Sequence, residues 1–177
     1  YLESYYPLVI ERYGSIADTG GPGKHRGGNG VEKVYRLLEK GNISIHDDRH
    51  LTQPWGILGG QPGGCSEKQL VRANGDEMPL PSKVDNVAVE PGDRIVFRTA
   101  GGGGWGDALE RDPESVRLDV LRGLASAQTA HDQYGVVVHE GRVDVRATED
   151  LRTKLRRSRE PLSVFDFGVL PTAAVGA

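Results

Sequence analysis

A chain of 177 residues, 37% of them apolar, is long enough for one domain, but its core is modest and leaves room for a partner to complete burial. A net charge of −3 and a pI near 6.0 select neither nucleic acid nor an anionic membrane surface as partner. The single cysteine, Cys65, excludes an internal disulfide and points to a reducing, cytoplasmic setting with Cys65 as an unreactive thiol, and no apolar run approaches the ~18 residues of a membrane span.

There is no basic-then-apolar leader, and the opening residue is Tyr1, which suggests a gap or a processing site in a longer polypeptide. Glycine supplies 25 of the 177 residues, about twice the usual ~7%, and it is clustered at Gly14–Gly30, Gly56–Gly64 and Gly101–Gly106. No triplet repeat runs through the clusters, and ordinary apolar residues separate them, so neither collagen nor a low-complexity tract fits. The pattern predicts three long loops whose backbones take positive φ or approach something closely. Between the first two clusters, Val31, Val34, Tyr35 and Leu38 fall at helical spacing, so pattern alone predicts a helix over Val31–Leu38. Ile43–Asp47 and Gln69–Arg72 are short strand candidates, and Asp93–Thr99, after the turn pair Pro91-Gly92, is a clearer one.

The last third changes character. Asp112 followed by Pro113 starts a helix with a capping side chain and a proline at the first helical position. Val116, Val120, Leu121 and Leu124 share its apolar face, and Gly123 stands near its end. Ser126 caps a second short helix in which Ala127, Ala130, His131 and Tyr134 line up, with Gly135 ending it and His131 packed in the core. Val136–Val138 and Arg142–Arg146 read as a hairpin across His139-Glu140-Gly141. Thr148 is placed to cap a last helix, Glu149–Arg159, with acids first and arginines last; Arg142–Arg159 are read as a solvated basic face. The tail Ser163–Ala177 has no period.

Few motifs carry chemistry by spacing. Gly101-x-Gly103-x-x-Gly106 has dinucleotide-binding form but lacks a helix starting within it, and Gly23-Lys24-His25 lacks the spacing and hydroxyl of a phosphate-binding loop. His46, Asp48 and His50 are two imidazoles and a carboxylate, ligand types of zinc or manganese. The opposing reading is a solvated polar edge with Asp48 paired to an arginine. The reading adopted is no metal in this chain, with His46, Asp48 and His50 as the alternative. No serine or cysteine stands in a nucleophile context.

Taken in order, the motifs resemble the carboxy-terminal region of the hydantoinase B/oxoprolinase family. They are Asp18-Thr19-Gly20-Gly21-Pro22-Gly23-Lys24-His25-Arg26-Gly27-Gly28-Asn29-Gly30, Asp48-Arg49, Pro54-Trp55-Gly56-Ile57-Leu58-Gly59-Gly60-Gln61-Pro62-Gly63, Pro91-Gly92-Asp93 and Thr99-Ala100 through Trp105-Gly106-Asp107. Arg111-Asp112-Pro113, Val116, Asp119, Gly123 and Tyr134-Gly135-Val136-Val137 complete the series. The resemblance makes Val31–Leu38 a strand. It implies a portion of a subunit that works with a hydantoinase A-type ATP-using subunit and with the amino-terminal part of a hydantoinase B-type subunit. Such complexes open cyclic amides such as hydantoins, oxoproline or lactams at the expense of ATP; related ones carboxylate ketones such as acetone or acetophenone. ATP, Mg and a divalent metal are implied elsewhere in the complex, with no cofactor on this chain. Departures are Ala100 and Ala108, where proline is common in the family, and His46 and His50, which lie outside its pattern.

The fold expected is α+β: a glycine-loop-rich mixed β region over 1–110, then short carboxy-terminal helices and a hairpin over 111–177. His25 is the candidate general acid or base, and Arg26 the candidate two-pronged holder of a phosphate or carboxylate. Asp18, Gly27, Gly28, Trp55, Gly56, Gly101, Gly102, Gly103, Gly104 and Trp105 are expected in loops gathered at one end, facing substrate or partner. The functions weighed are an ATP-dependent cyclic-amide hydrolase, a ketone carboxylase, and a docking scaffold with no catalytic residue.

Overall fold

The computed structural model describes residues 1–169; positions 170–177 of the Ser163–Ala177 tail lie outside the described residues. Eleven strands form among them: β1 (Leu8–Ser15), β2 (Val31–Leu37), β3 (Gly41–His46), β4 (Gly56–Ile57), β5 (Glu67–Val71), β6 (Glu77–Pro79), β7 (Lys83–Val89), β8 (Arg94–Arg98), β9 (Val138–His139), β10 (Arg142–Val143) and β11 (Phe165–Asp166). Three α-helices, α1 (Pro113–Leu121), α2 (Ala127–Asp132) and α3 (Val145–Ser158), complete an α+β chain. The largest sheet is antiparallel with order β1-β2-β8-β5-β6, and the pair β3-β7 lies across it. Ile45, Leu70, Leu80, Val89 and Ile95 close the core between these two layers.

β2 corrects the helical reading of Val31–Leu38. Its inner face, with Tyr35 and Leu37, packs on the core. Its outer face belongs to a lattice of charge: Glu32 pairs with Arg12 and Arg98, and Glu11 with Arg36 and Arg94. Long charged side chains cover that face with their stems, so Val34 sits half-buried among them and the two-residue alternation is masked. Inside the sandwich, the Lys68 ammonium is fully enclosed, paired with the Asp47 carboxylate and 4.7 Å over the Phe97 ring; burial lowers its pKa. The paired carboxylate of this segment is therefore Asp47, not Asp48, and its partner is a lysine from β5.

The carboxy-terminal part has its own small core of Ala108, Val116, Ala130, Tyr134 and Val136. Asp112 caps α1 by accepting from the Ser115 N–H at 2.9 Å, as its sequence predicts. Leu121, expected on the buried face, is 71% exposed, and Asp119 takes the inward place instead. Ser126 caps α2, but His131 is exposed and bonded to Asp132, because α2 stops at Asp132 and the chain turns before Tyr134 enters the core. The hairpin is only β9 and β10, closed by Glu140-Gly141 with φ of 50° and 74°, the primed geometry that suits strand twist. α3 begins earlier than expected, at Val145, since Asp144 accepts from the Ala147 N–H at 3.0 Å. Thr148 is buried in the helix, its hydroxyl accepting from the Val137 N–H.

Arg142, Arg146, Arg156, Arg157 and Arg159 are exposed, as a solvated basic face requires, but three arginines of this segment also reach back to the rest of the chain. Arg152 donates to the carbonyls of Tyr134 and Arg111, Arg156 to that of Leu109, and Arg159 grips both oxygens of Asp107 at 2.6 and 2.7 Å. The chain then returns to add β11 to β4, a pairing the aperiodic tail gave no sign of.

Candidate functional site: the interlocked glycine loops

The three glycine clusters meet, and each is packed against the backbone of the others. Gly101–Gly104 runs through the middle. Gly101 N–H donates to Gly64 and Gly104 N–H to Gln61, at 3.0 and 2.8 Å, while Gly102 N–H donates to Gly28 at 2.8 Å. A Cβ on Gly101 would strike Thr19, on Gly104 Pro22, and on Gly103 the Trp55 carbonyl. Residues three apart thus face the same neighbour, the repeat of a backbone with three residues per turn. At Gly101, Gly103 and Gly104 the side a Cβ would take is filled by another main chain, so only hydrogen fits there, while at Gly102 a Cβ would be 3.3 Å from the Gly28 nitrogen. Gly27 against Gly102 and Gly56 against Gly60 obey the same steric demand, and backbone N–H and C=O groups are satisfied across the bundle. Gly28 differs: a Cβ there would meet nothing within 4 Å.

This bundle places the sequence-predicted residues. His25 is exposed, exchanges two backbone bonds with Trp105 (3.0 and 2.9 Å), and holds its ring 5.4 Å from the Trp105 indole. Trp55 and Trp105 are 41% and 45% exposed. Trp55 stacks beneath the Arg49 guanidinium at 4.7 Å and neighbours Phe167. Asp18, with φ of 63°, turns outward from the bundle to accept the Ser126 N–H at 2.7 Å, tying the first loop to the start of α2.

The Arg26 guanidinium, expected to hold an anion of the substrate by two prongs, instead faces a carboxylate of the chain itself, that of Asp119. The Arg26 Nε lies 3.2 Å and the Arg111 Nη2 2.9 Å from one Asp119 oxygen, with all three side chains largely buried. Arg26 also donates to the Gly27 carbonyl, and Asn29 joins the cluster by accepting from Arg26 and Gly20 and donating to Leu124. Asp119 and Arg111, which the sequence offered only as residues of the resemblance and not as site residues, are the charged anchor between the loops and α1. The available signal was an aspartate three positions after Val116, on the helix's inward face.

His46, Asp48 and His50 are not assembled. His46 pairs with Asp85 at 3.0 Å, His50 keeps a buried Nδ1 without a partner, and among the described residues no three His, Cys, Asp or Glu side chains group to hold a metal. β3 ends at His46, so the strand alternation that would have put the three on one face stops there.

Comparison with known proteins places this geometry. The Hydantoinase B/oxoprolinase family model matches residues 1–108. An uncharacterised protein of Methanocaldococcus jannaschii is 36% identical over 85% of this chain and 27% of its own length. A D-/L-hydantoinase B-type subunit of Pseudomonas sp. NS671 is 35% identical over 85% of the chain and 26% of its own, and the caprolactamase beta subunit of Pseudomonas jessenii is 32% identical over 83% and 26%. The chain therefore spans about a quarter of the length of the curated relatives it matches. Among solved structures, acetone carboxylase superposes with a TM-score of 0.73 at 24% identity, covering 88% of this chain and 26% of that one. The ATP-dependent caprolactamase of Pseudomonas jessenii superposes with a TM-score of 0.65 at 28% identity, covering 85% and 27%.

Proposed function

The chain belongs to the hydantoinase B/oxoprolinase family, and on that premise we propose that it is the glycine-bundle portion of a subunit in an ATP-dependent cyclic-amide hydrolase. The supporting observation is that the family's ordered motifs, from Asp18–Gly30 through Trp55–Gly63 to Gly101–Gly106, are the segments that interlock. Similarity to a hydantoinase B-type subunit and to a caprolactamase beta subunit, at 35% and 32% identity, favours amide opening as the chemistry. ATP, Mg and a divalent metal act elsewhere in the complex, on the hydantoinase A-type subunit and the amino-terminal part of the hydantoinase B-type subunit.

Within that reading, the bundle's task is positioning. A loop pinned by main-chain bonds presents His25 on a fixed backbone, as positioned proton transfer requires. Arg26 acts through Asp119, keeping the His25 segment against α1. The test is ATP turnover by the complex purified through this chain, with hydantoin, 5-oxoproline or caprolactam supplied singly, against acetone with bicarbonate. Amide-triggered turnover supports the reading, and ketone-triggered turnover with bicarbonate replaces it by carboxylation. His25→Ala distinguishes a proton-transfer role from a scaffold: a scaffold keeps its kcat.

A further inference from the structure

The sandwich is unequal. Five strands form one layer and two, β3 and β7, the other. β3 pairs with β7 on one edge and with no described strand on the opposite edge. On that opposite side lies an apolar groove of about 380 Å³, floored by Tyr35, Leu37, Ile95 and Phe97 and walled by Ile43 and Leu8; no β7 residue lines it. Lys33, Ser44, His46 and Thr99 also line it and supply its polar part. An open strand edge beside an apolar floor has the form of a strand-addition site, where main-chain bonds give affinity and alternate side chains fill the groove.

We propose that an extended segment from the remainder of a hydantoinase B-type subunit adds to the free edge of β3 and fills this groove, completing the second layer. The inference rests on the reading of the chain as part of such a subunit. Length supports that occupant: the relatives are nearly four times longer than the stretch matched here, so most of such a subunit lies outside the described residues. The floor supports it too, because Ile95 is buried core and Tyr35, Leu37, Ile43 and Phe97 are partly buried residues packed on that core. A segment laid there continues the existing core and makes no separate one. Its own sequence should alternate apolar and polar residues over about five positions.

The experiment uses the complex purified through this chain. In a Cys65→Ser background, Ser44→Cys carries a thiol-reactive photocrosslinker; Ser44 is exposed at the groove. The expected product joins position 44 to an alternating apolar stretch in the remainder of the hydantoinase B-type subunit. In the unlabelled complex, hydrogen exchange over Gly41–His46 should be at least about tenfold slower than over Lys83–Val89, whose far edge also has no described strand partner. Crosslinks to a second copy of this chain or to the ATP-using subunit, or equal exchange of the two strands in an intact complex, overturn the proposal. A complex lacking any further hydantoinase B-type polypeptide overturns it together with the reading beneath it.

Discussion

Replacing Gly103 by alanine tests whether steric closeness or backbone freedom explains the glycines. Neither Gly103 nor Gly28 has a positive φ, so alanine at either reduces unfolded-chain entropy and, without a clash, stabilises by about 0.4–1 kcal/mol. Gly28 has open space around a Cβ, so Gly28→Ala should show that gain. At Gly103 the new methyl lands on the Trp55 carbonyl, a backbone atom that cannot rotate away. Overpacking costs about 1–3 kcal/mol, and the upper end applies because Trp55 lies between the bonded segments Pro54–Gly63 and Ile57–Gly104. The net expectation is a loss of about 2–3 kcal/mol, which in a chain of this size lowers Tm by roughly 4–12 °C. Gly28→Ala should instead raise Tm by about 1–4 °C. Paired thermal melts with urea midpoints decide it. Equal melting of the two variants would refute the packing account of the bundle.

Asp119→Asn leaves the Arg26 and Arg111 guanidiniums buried without their shared carboxylate, and should lower stability by about 3–5 kcal/mol in urea titrations; a change below about 1 kcal/mol would show the cluster to be dispensable. Asp93 is buried, which pushes its carboxyl up, but the Glu90 amide, the Arg72 guanidinium and the Ala73 amide outweigh this and hold its pKa low. A depressed folded pKa contributes stability that is present above the unfolded value near ~3.9 and lost as pH falls through the folded value. Asp93→Asn should therefore flatten the loss of stability below about pH 4, and an unchanged acid slope in urea midpoints would contradict it. Trp55→Ala removes a half-exposed indole that lies beneath the Arg49 guanidinium and tilted beside Phe167; it should weaken assembly with the proposed partner subunits by about 2 kcal/mol while circular dichroism of the chain stays the same, and undiminished assembly would remove Trp55 from the interface.

What the sequence disclosed depended on how local the cause was. Asp112-Pro113 and Ser126 set their helices through bonds to residues three positions away, and both starts stand where the sequence put them. Asp144 was missed because Thr148 and the acids after it gave a competing start one turn later, and only burial of Thr148 under Val137 decides between them. Val31–Leu38 reads as helix by period because Val34 stands on the outer face, roofed with Glu32 and Arg36 by Glu11 and Arg12 of β1 and Arg98 of β8, which no window of β2 contains. β11 is two residues long and exists through Gly56 and Ile57, more than a hundred positions earlier.

The site divides in the same way. The glycine runs were visible as loops under an unusual constraint, and of the two the sequence allowed, close approach rather than positive φ applies to most of the central run. Gly101 to Gly104 are absent from the left-handed region, and what excludes a side chain at Gly101, Gly103 and Gly104 is the main chain of Thr19, Trp55 and Pro22. Three segments must therefore be in place before the run is explained, and composition cannot show their meeting. Arg26 makes the converse point. Its residue type suited an anion, and an anion is what it holds, yet the anion is Asp119 on α1. A cation already neutralised at 3.2 Å can bind a phosphate or carboxylate only by giving up a largely buried partner. Any anionic group of substrate or intermediate is accordingly better met by a guanidinium without such a partner, and Arg49, stacked on half-exposed Trp55, makes no ion pair among the described residues.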